Sequence, residues 1–325
     1  MTPLRRALLL AFPAVAAPLP LYAQAPRFPS QPVRIVVPYS VGIGPDVVAR
    51  ALADELGKRW GQPVLVDNKP GASGIVAFSE LRRVPADGHT LFLGDLATLA
   101  VNPLVYARLP YDPALDLRPL SSLFRATFAI QVAAHSRYQT LAQLLAAARA
   151  RPGQLSYASL GNGHPSNVAV ESWARAAGVV FQHVPFKDGG ALMNAVASGE
   201  IDFTTFSMHT VAPLVKAGKL RALAVASLTR LKDHPELPTS TEAGGPALEM
   251  RPWAALVAPG ATPPAVLDFL QREIVAALAR PALRAQIEAA GFEPLPSTAG
   301  ELAARIQADA ALYAPLVQEG RVSRH

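Results

Sequence analysis

Three times in this chain an apolar run ends in a loop of small residues and passes into a helical pattern. Val33-Arg34-Ile35-Val36-Val37-Pro38 leads into Tyr39-Ser40-Val41-Gly42-Ile43-Gly44-Pro45-Asp46. Pro63-Val64-Leu65-Val66 leads into Asp67-Asn68-Lys69-Pro70-Gly71-Ala72-Ser73-Gly74. Leu155-Ser156-Tyr157-Ala158 leads into Ser159-Leu160-Gly161-Asn162-Gly163-His164-Pro165-Ser166. A strand, a glycine-rich turn and a helix N-terminus together aim unpaired backbone N–H groups at one point, where the helix dipole also favours negative charge. Three such loops suggest a site that grips a carboxylate or phosphate with main chain.

The first 25 residues read as a secretory signal. Arg5 and Arg6 make a basic start, Ala7 to Ala17 is apolar, and Leu21-Tyr22-Ala23 or Ala23-Gln24-Ala25 offers a small-residue cleavage site. Pro13, Pro18 and Pro20 interrupt the stretch, which is short of the ~20 apolar residues of a membrane span. A periplasmic location is therefore expected. The 325 residues contain no cysteine, which excludes disulfides, a thiol nucleophile and a lipid-anchored cysteine after the signal. Removing Arg5 and Arg6 with the signal leaves 28 basic residues against 24 acidic, a net +4. That excess forms no basic run, so nucleic-acid binding is not expected.

About 300 residues remain, enough for two domains at ~100–200 residues each. Candidate strands lie near Val33–Pro38, Val64–Asp67, Thr90–Gly94, Phe128–Ala133, Leu155–Ala158, Val179–Pro185, Phe203–Phe206, Leu220–Ala226 and Ala254–Ala258. Helical spacing separates them, as in Val48, Leu52, Leu56 and Trp60, and in Leu141, Leu144, Leu145 and Ala148 after Thr140, a candidate N-cap. Alternating strands and helices predict an α/β fold with mostly parallel sheets flanked by helices, whose ligands sit beyond the carboxyl ends of the strands.

Read in order, further segments join the loops. Ala86-Asp87-Gly88-His89-Thr90-Leu91, His183-Val184-Pro185-Phe186-Lys187, Ala217-Gly218-Lys219-Leu220-Arg221-Ala222, Pro238-Thr239 with Glu242-Ala243-Gly244, and Ala258-Pro259-Gly260-Ala261-Thr262-Pro263 follow one another. With Gly42-x-Gly44-x-Asp46 and Asn68-Lys69-Pro70-Gly71-Ala72-Ser73-Gly74, the chain resembles the Bug family of periplasmic solute receptors. These are binding components of tripartite tricarboxylate transporters. The resemblance implies a two-domain "Venus flytrap", with domain 1 over 26–128 and 253–325 and domain 2 over 129–252. It implies a monomer without a cofactor, which binds a small organic acid in the interdomain cleft and hands it to membrane subunits.

Ligand contacts are expected from Tyr39, Val41, Gly42, Gly44, Asp46, Gly71, Ala72, Ser73 and Thr98 on one side. Ser159, Asn162, Gly163, His164, Lys187, Phe206 and Ser207 are expected on the other. Several have a purely structural alternative: Asp46 as a helix cap, Ser73, Ser159 and Thr98 as turn stabilisers, and Phe206 as core. His164 is either at the cleft mouth, titrating near neutral pH, or on the surface. Lys187 is the best cation for a second ligand carboxylate. Three departures from the family pattern matter. Pro45 removes one N–H donor from the first loop. His164 and Asn167 stand where the third loop often has Ser and His. Phe206 stands where many members have an Asp that can pair with a ligand amino group. A desolvated ammonium without such a partner is costly, so a non-amine carboxylate with an apolar or aromatic body is expected.

Other functions fare worse. Gly42-Ile43-Gly44 with Asp67 mimics a dinucleotide-binding signature, but Val47 occupies its third glycine position and Pro45 its loop. No nucleophile-elbow, zincin or cysteine signature is present, and the seven histidines show no metal-ligand spacing, so an enzyme is not expected. A sensory receptor for the same ligand remains an alternative to transport.

Overall fold

The structure is a computed structural model that describes residues 28–324. The expected secretory signal lies outside the described residues. Eleven strands are present among them: β1 (Val33–Val37), β2 (Val64–Asn68), β3 (Thr90–Asp95), β4 (Leu117–Arg125), β5 (Phe128–Ala133), β6 (Ser156–Ser159), β7 (Gln182–Pro185), β8 (Phe203–Ser207), β9 (Leu220–Val225), β10 (Trp253–Pro259) and β11 (Glu293–Pro294). They form two sheets, ordered β11-β4-β10-β3-β1-β2 and β7-β6-β8-β5-β9. In each sheet most strands run one way. β10 and β11 run against the rest of the first sheet, and β5 against the rest of the second.

Both sheets are covered on both faces, which explains why their strands read as nearly continuous apolar runs. Val33, Ile35, Val37, Leu91 and Leu93 face a layer containing Val48, Leu52, Leu56, Leu270 and Ile274. Val36, Phe92, Ala255 and Val257 face Phe78, Leu99, Tyr313 and Leu316 on the other side. In the second sheet Ile130, Val132, Tyr157 and Phe203 pack against Leu141, Leu144 and Trp173. Ala129, Ala158 and Val225 pack against Leu192, Val196 and Val211. Burying each Leu, Ile or Val here contributes roughly 1.5–3 kcal/mol.

Nine of these strands coincide with sequence-predicted ones to within a few residues; β4 and β11 do not. β4 carries Pro119 and the serine pair Ser121-Ser122, which break both periodicities. Its ladder with β10 absorbs Pro119 at an irregularity between Leu256 and Val257. The serines are satisfied by a distant partner: Ser122 N–H donates to Ser297 Oγ (3.0 Å) and Ser297 N–H to Ser121 Oγ (3.0 Å).

Local capping follows the sequence. The helix Gly44–Trp60 starts with Pro45 in its first turn and stops at Gly61, which takes φ 66 and donates back to Gly57 O (3.0 Å). Thr140 caps Leu141–Ala150 by accepting from Gln143 N–H (3.2 Å). The chain leaves the first sheet after Arg125 and rejoins it at Trp253. The two crossings run side by side, with Ala126 N–H donating to Pro252 O (2.8 Å) and Phe128 N–H to Met250 O (3.2 Å).

Candidate functional site

The carboxyl ends of β1, β2 and β3 are tied into one cluster. Asp46, in the first turn of its helix, is buried and spends both carboxylate oxygens internally. Its Oδ2 accepts from Gly42 N–H (2.8 Å) and Arg50 Nε (3.0 Å), and its Oδ1 from Asn68 Nδ2 (2.8 Å). Burial works against its charge, but these donors outweigh it and hold its carboxyl below the usual range. Asn68 also donates to Tyr39 O (3.0 Å), so β2 fixes the start of the first loop. Asp46 therefore shapes that loop with no oxygen left over.

A second buried acid lies under the cluster. Asp95, at the end of β3, accepts from Thr98 N–H (2.7 Å) and Thr98 Oγ1 (2.8 Å) at one oxygen and from the Tyr39 hydroxyl at the other. Burial raises its pKa, and burial beside Asp95 raises that of Tyr39 well above the usual phenol. The hydroxyls of Tyr39 and Thr98 are thus turned onto Asp95. Sequence reasoning passed over Asp95, although its place at a strand's carboxyl end is the signal that could have found it.

The second loop has an unusual backbone. Gly71, Ala72, Ser73 and Gly74 all have positive φ, at 125°, 45°, 48° and 86°. A Cβ on Gly74 would lie 2.3 Å from Thr98 Cγ2, so the loop presses directly on the turn that follows β3. Ser73 O accepts from Asn102 Nδ2 (2.8 Å), and its hydroxyl lies 3.5 Å from that of Tyr106. Among the described residues, no acceptor meets the N–H groups of Ser40, Val41, Gly44, Ala72 or Ser73. Gly71, Ala72, Val41 and Gly42 are exposed.

The second half is more self-contained. Ser159 Oγ lies 2.6 Å from His183 Nε2 and accepts from Gly161 N–H (3.1 Å). Gly163 N–H donates to Asn167 Oδ1 (2.9 Å), and Asn167 Nδ2 to the Tyr157 hydroxyl (2.6 Å). This third loop therefore spends much of its own main chain. His164 is half-buried rather than on the surface. Its Nδ1 accepts from Ser166 N–H (3.2 Å), and burial lowers its pKa to about 4. The expectation of a histidine titrating near neutral pH is corrected: the ring stays neutral there. His183 stacks on Tyr157 (4.9 Å), and burial lowers it likewise to about 4.

Lys187 is exposed beyond the end of β7. Phe206 is 9% exposed at the end of β8, stacked on Phe128 (6.0 Å, 29°), in the same apolar cluster as half-buried Leu160 and Phe186. Ser207 caps the helix Met208–Lys216 by accepting from Thr210 N–H (3.3 Å). The two halves meet where Gly163 approaches Val105, within 3.1 Å of a Cβ placed on the glycine, and where Asn162 Nδ2 donates to Ser323 O (2.6 Å). The expected residues thus lie on two halves, and among the described residues no hydrogen bond or ion pair joins Lys187 to the others. A groove of about 600 Å³, lined by Met208, Val215, Leu220, Lys216 and His234 among others, includes none of the expected residues, although Met208, Val215 and Leu220 share an apolar cluster with Phe206.

A family model described as "Tripartite tricarboxylate transporter family receptor" matches residues 48–321. Protein BugT of Bordetella pertussis is 30% identical over 311 residues, covering 95% of this chain and 94% of its own. The R. palustris protein Rpa4515, solved with adipate, superposes with a TM-score of 0.84 at 30% identity, covering 92% of this chain and 100% of its own. MatC of Rhodopseudomonas palustris, solved with bound malate, gives a TM-score of 0.79 at 27% identity, over 89% and 100%.

Proposed function

The chain belongs to the tripartite tricarboxylate transporter receptor family, and from that premise we propose that it is an extracytoplasmic receptor for a small, non-amine organic carboxylate. It is a solute-binding protein of periplasmic-binding-protein fold, not an enzyme. The observation that carries the ligand class is an imbalance of hydrogen-bonding groups. The first two loops hold N–H groups without acceptors, while the neighbouring carboxylates Asp46 and Asp95 accept their hydrogen bonds from within and Asp67 is paired with Arg34 (3.0 Å) and Lys69 (3.6 Å). Such a surface offers donors to an anion and no free carboxylate to an ammonium.

The apolar body of the ligand rests toward Phe206, Leu160 and Phe186, and Lys187 meets a second carboxylate where there is one. Adipate in one relative and malate in another are ligands of this kind. The two halves correspond to domains over 26–128 with 253–325 and over 129–252, and the ligand lies between them. Export by the N-terminal signal and delivery to membrane transporter subunits complete the reading.

A thermal-shift screen of the exported chain tests it, with adipate, malate, citrate, benzoate, nicotinate, aspartate, glutamate and NAD. A ligand at ~100 times its Kd stabilises by ~2.7 kcal/mol, which is readily seen. Stabilisation by a non-amine carboxylate supports the reading. Stabilisation by aspartate or glutamate alone would remove the non-amine preference, and by NAD alone the receptor itself.

A further inference from the structure

Behind the second loop stands a buried side chain to which carboxylate binding assigns no task. After β3 the chain makes a π-helical turn, Ala97–Val101, and then a short helix, Asn102–Val105. π turns are rare and gather at functional places. This one sets Asn102, fully buried, against the loop Gly71–Gly74. Asn102 Nδ2 donates to Ser73 O (2.8 Å) and to the Tyr111 hydroxyl (3.0 Å), and that hydroxyl donates onward to Thr98 O (2.8 Å). A flipped amide would set its oxygen against the Ser73 carbonyl, so the orientation is fixed. Asn102 Oδ1 is left buried without a donor among the described residues.

An amide with an unmet buried acceptor opposes folding, so an apolar side chain of similar size would serve better if packing were its only role. The partner it serves is one of the two non-glycine residues at positive φ among the described residues. Ser73 sits at φ 48, between Ala72 at φ 45 and Gly74 at φ 86. Non-glycine residues hold that conformation only when their surroundings impose it.

We infer that Asn102 is a positioning residue for ligand binding. Its amide holds Ser73 in the left-handed conformation and so keeps the free N–H groups of Ala72 and Ser73 in the arrangement the second loop offers an anion. This rests on the carboxylate-receptor reading above. The same short helix ends at Val105, against Gly163 of the other half, so the prop stands between the loop and the opposing half.

The test combines Asn102→Leu, which keeps the γ-branched heavy-atom skeleton and loses the donor, with Ser73→Gly, which accepts positive φ unaided. In the ligand-free protein, hydrogen exchange is read at Gly74 and Ile75, whose N–H groups are bonded to Gly71 O and Ala72 O, and adipate affinity is read by calorimetry. N102L is expected to speed exchange in that segment and to weaken adipate binding about tenfold or more, because the strain at Ser73 is no longer held. In the S73G background, N102L is expected to weaken adipate binding far less than it does in the unaltered chain, whatever the lost Ser73 hydroxyl itself costs. Unchanged exchange and affinity in N102L, or an equal loss of affinity in both backgrounds, would overturn the inference. Should N102L fail to fold, N102A gives the same readouts. Should the unaltered chain take up no adipate, that ligand assignment falls, while the exchange data still decide the role of Asn102.

Discussion

Gly74 shows how tightly single residues are specified here. It holds φ 86, and a Cβ would intrude to 2.3 Å from Thr98 Cγ2 and 3.5 Å from Pro38 Cβ. Gly74→Ala is predicted to cost about 2–5 kcal/mol, from backbone strain and overpacking together. Urea unfolding would show this as a lower midpoint with an unchanged slope. Adding Thr98→Ser removes the methyl and restores part of the loss, but not the part due to φ. The glycine was legible in the sequence as a loop former, and the reason it must be glycine was not. That reason lies in a contact between β2's loop and the π-helical turn after β3, 24 positions apart. Asp95 and Asn102 escaped notice for the same cause. Each acts on a partner brought near only by the fold, Tyr39 for one and Ser73 for the other.

Among elements, those whose two faces are both apolar were legible, and those held by distant polar partners were not. β1, β3, β5 and β10 are buried on both sides and announce themselves as apolar runs. β4 is equally central, yet its serines find their partners in Ser297, 175 residues away. The end of β7 carries a testable consequence. His183, on β7, is pulled by burial to about 4, and the unfolded chain takes up its proton near 6.5. Between those values the unfolded state binds more protons, so this contribution is full above 6.5 and is lost as pH falls toward 4. The buried carboxyls Asp95, Glu171 and Asp309 shift upward and act in the opposite sense at the acid end. A comparison with His183→Gln isolates the histidine, because glutamine keeps a polar partner for Ser159 and does not titrate. The stability advantage of the unaltered chain over H183Q is predicted to shrink by about 1–2 kcal/mol from pH 7 to pH 4, after allowance for partial exposure. An advantage independent of pH would mean that His183 is not held neutral.

At the scale of the whole molecule, two sheets are joined by two adjacent crossings and touch again at positions without side chains. A Cβ on Gly163 would come 3.1 Å from Val105, and one on Gly291 only 1.8 Å from the Cβ of His209. The C-terminal segment adds a third link, with Glu319 on Arg175 (2.8 Å) and Ser323 O on Asn162 (2.6 Å). Ligand bridging such a pair of halves favours their closed arrangement by its differential contacts with it. In the function proposed above, main-chain donors of the first half grip the anion. Backbone amide NMR of the exported chain, titrated with adipate, addresses it directly. The resonances of Ser40, Val41, Gly44, Ala72 and Ser73 are predicted to move together and saturably, with those of Leu160 and Phe206 following from the opposing half. Saturable shifts confined to other residues, with these five amides unmoved, would rule out a main-chain grip on the anion.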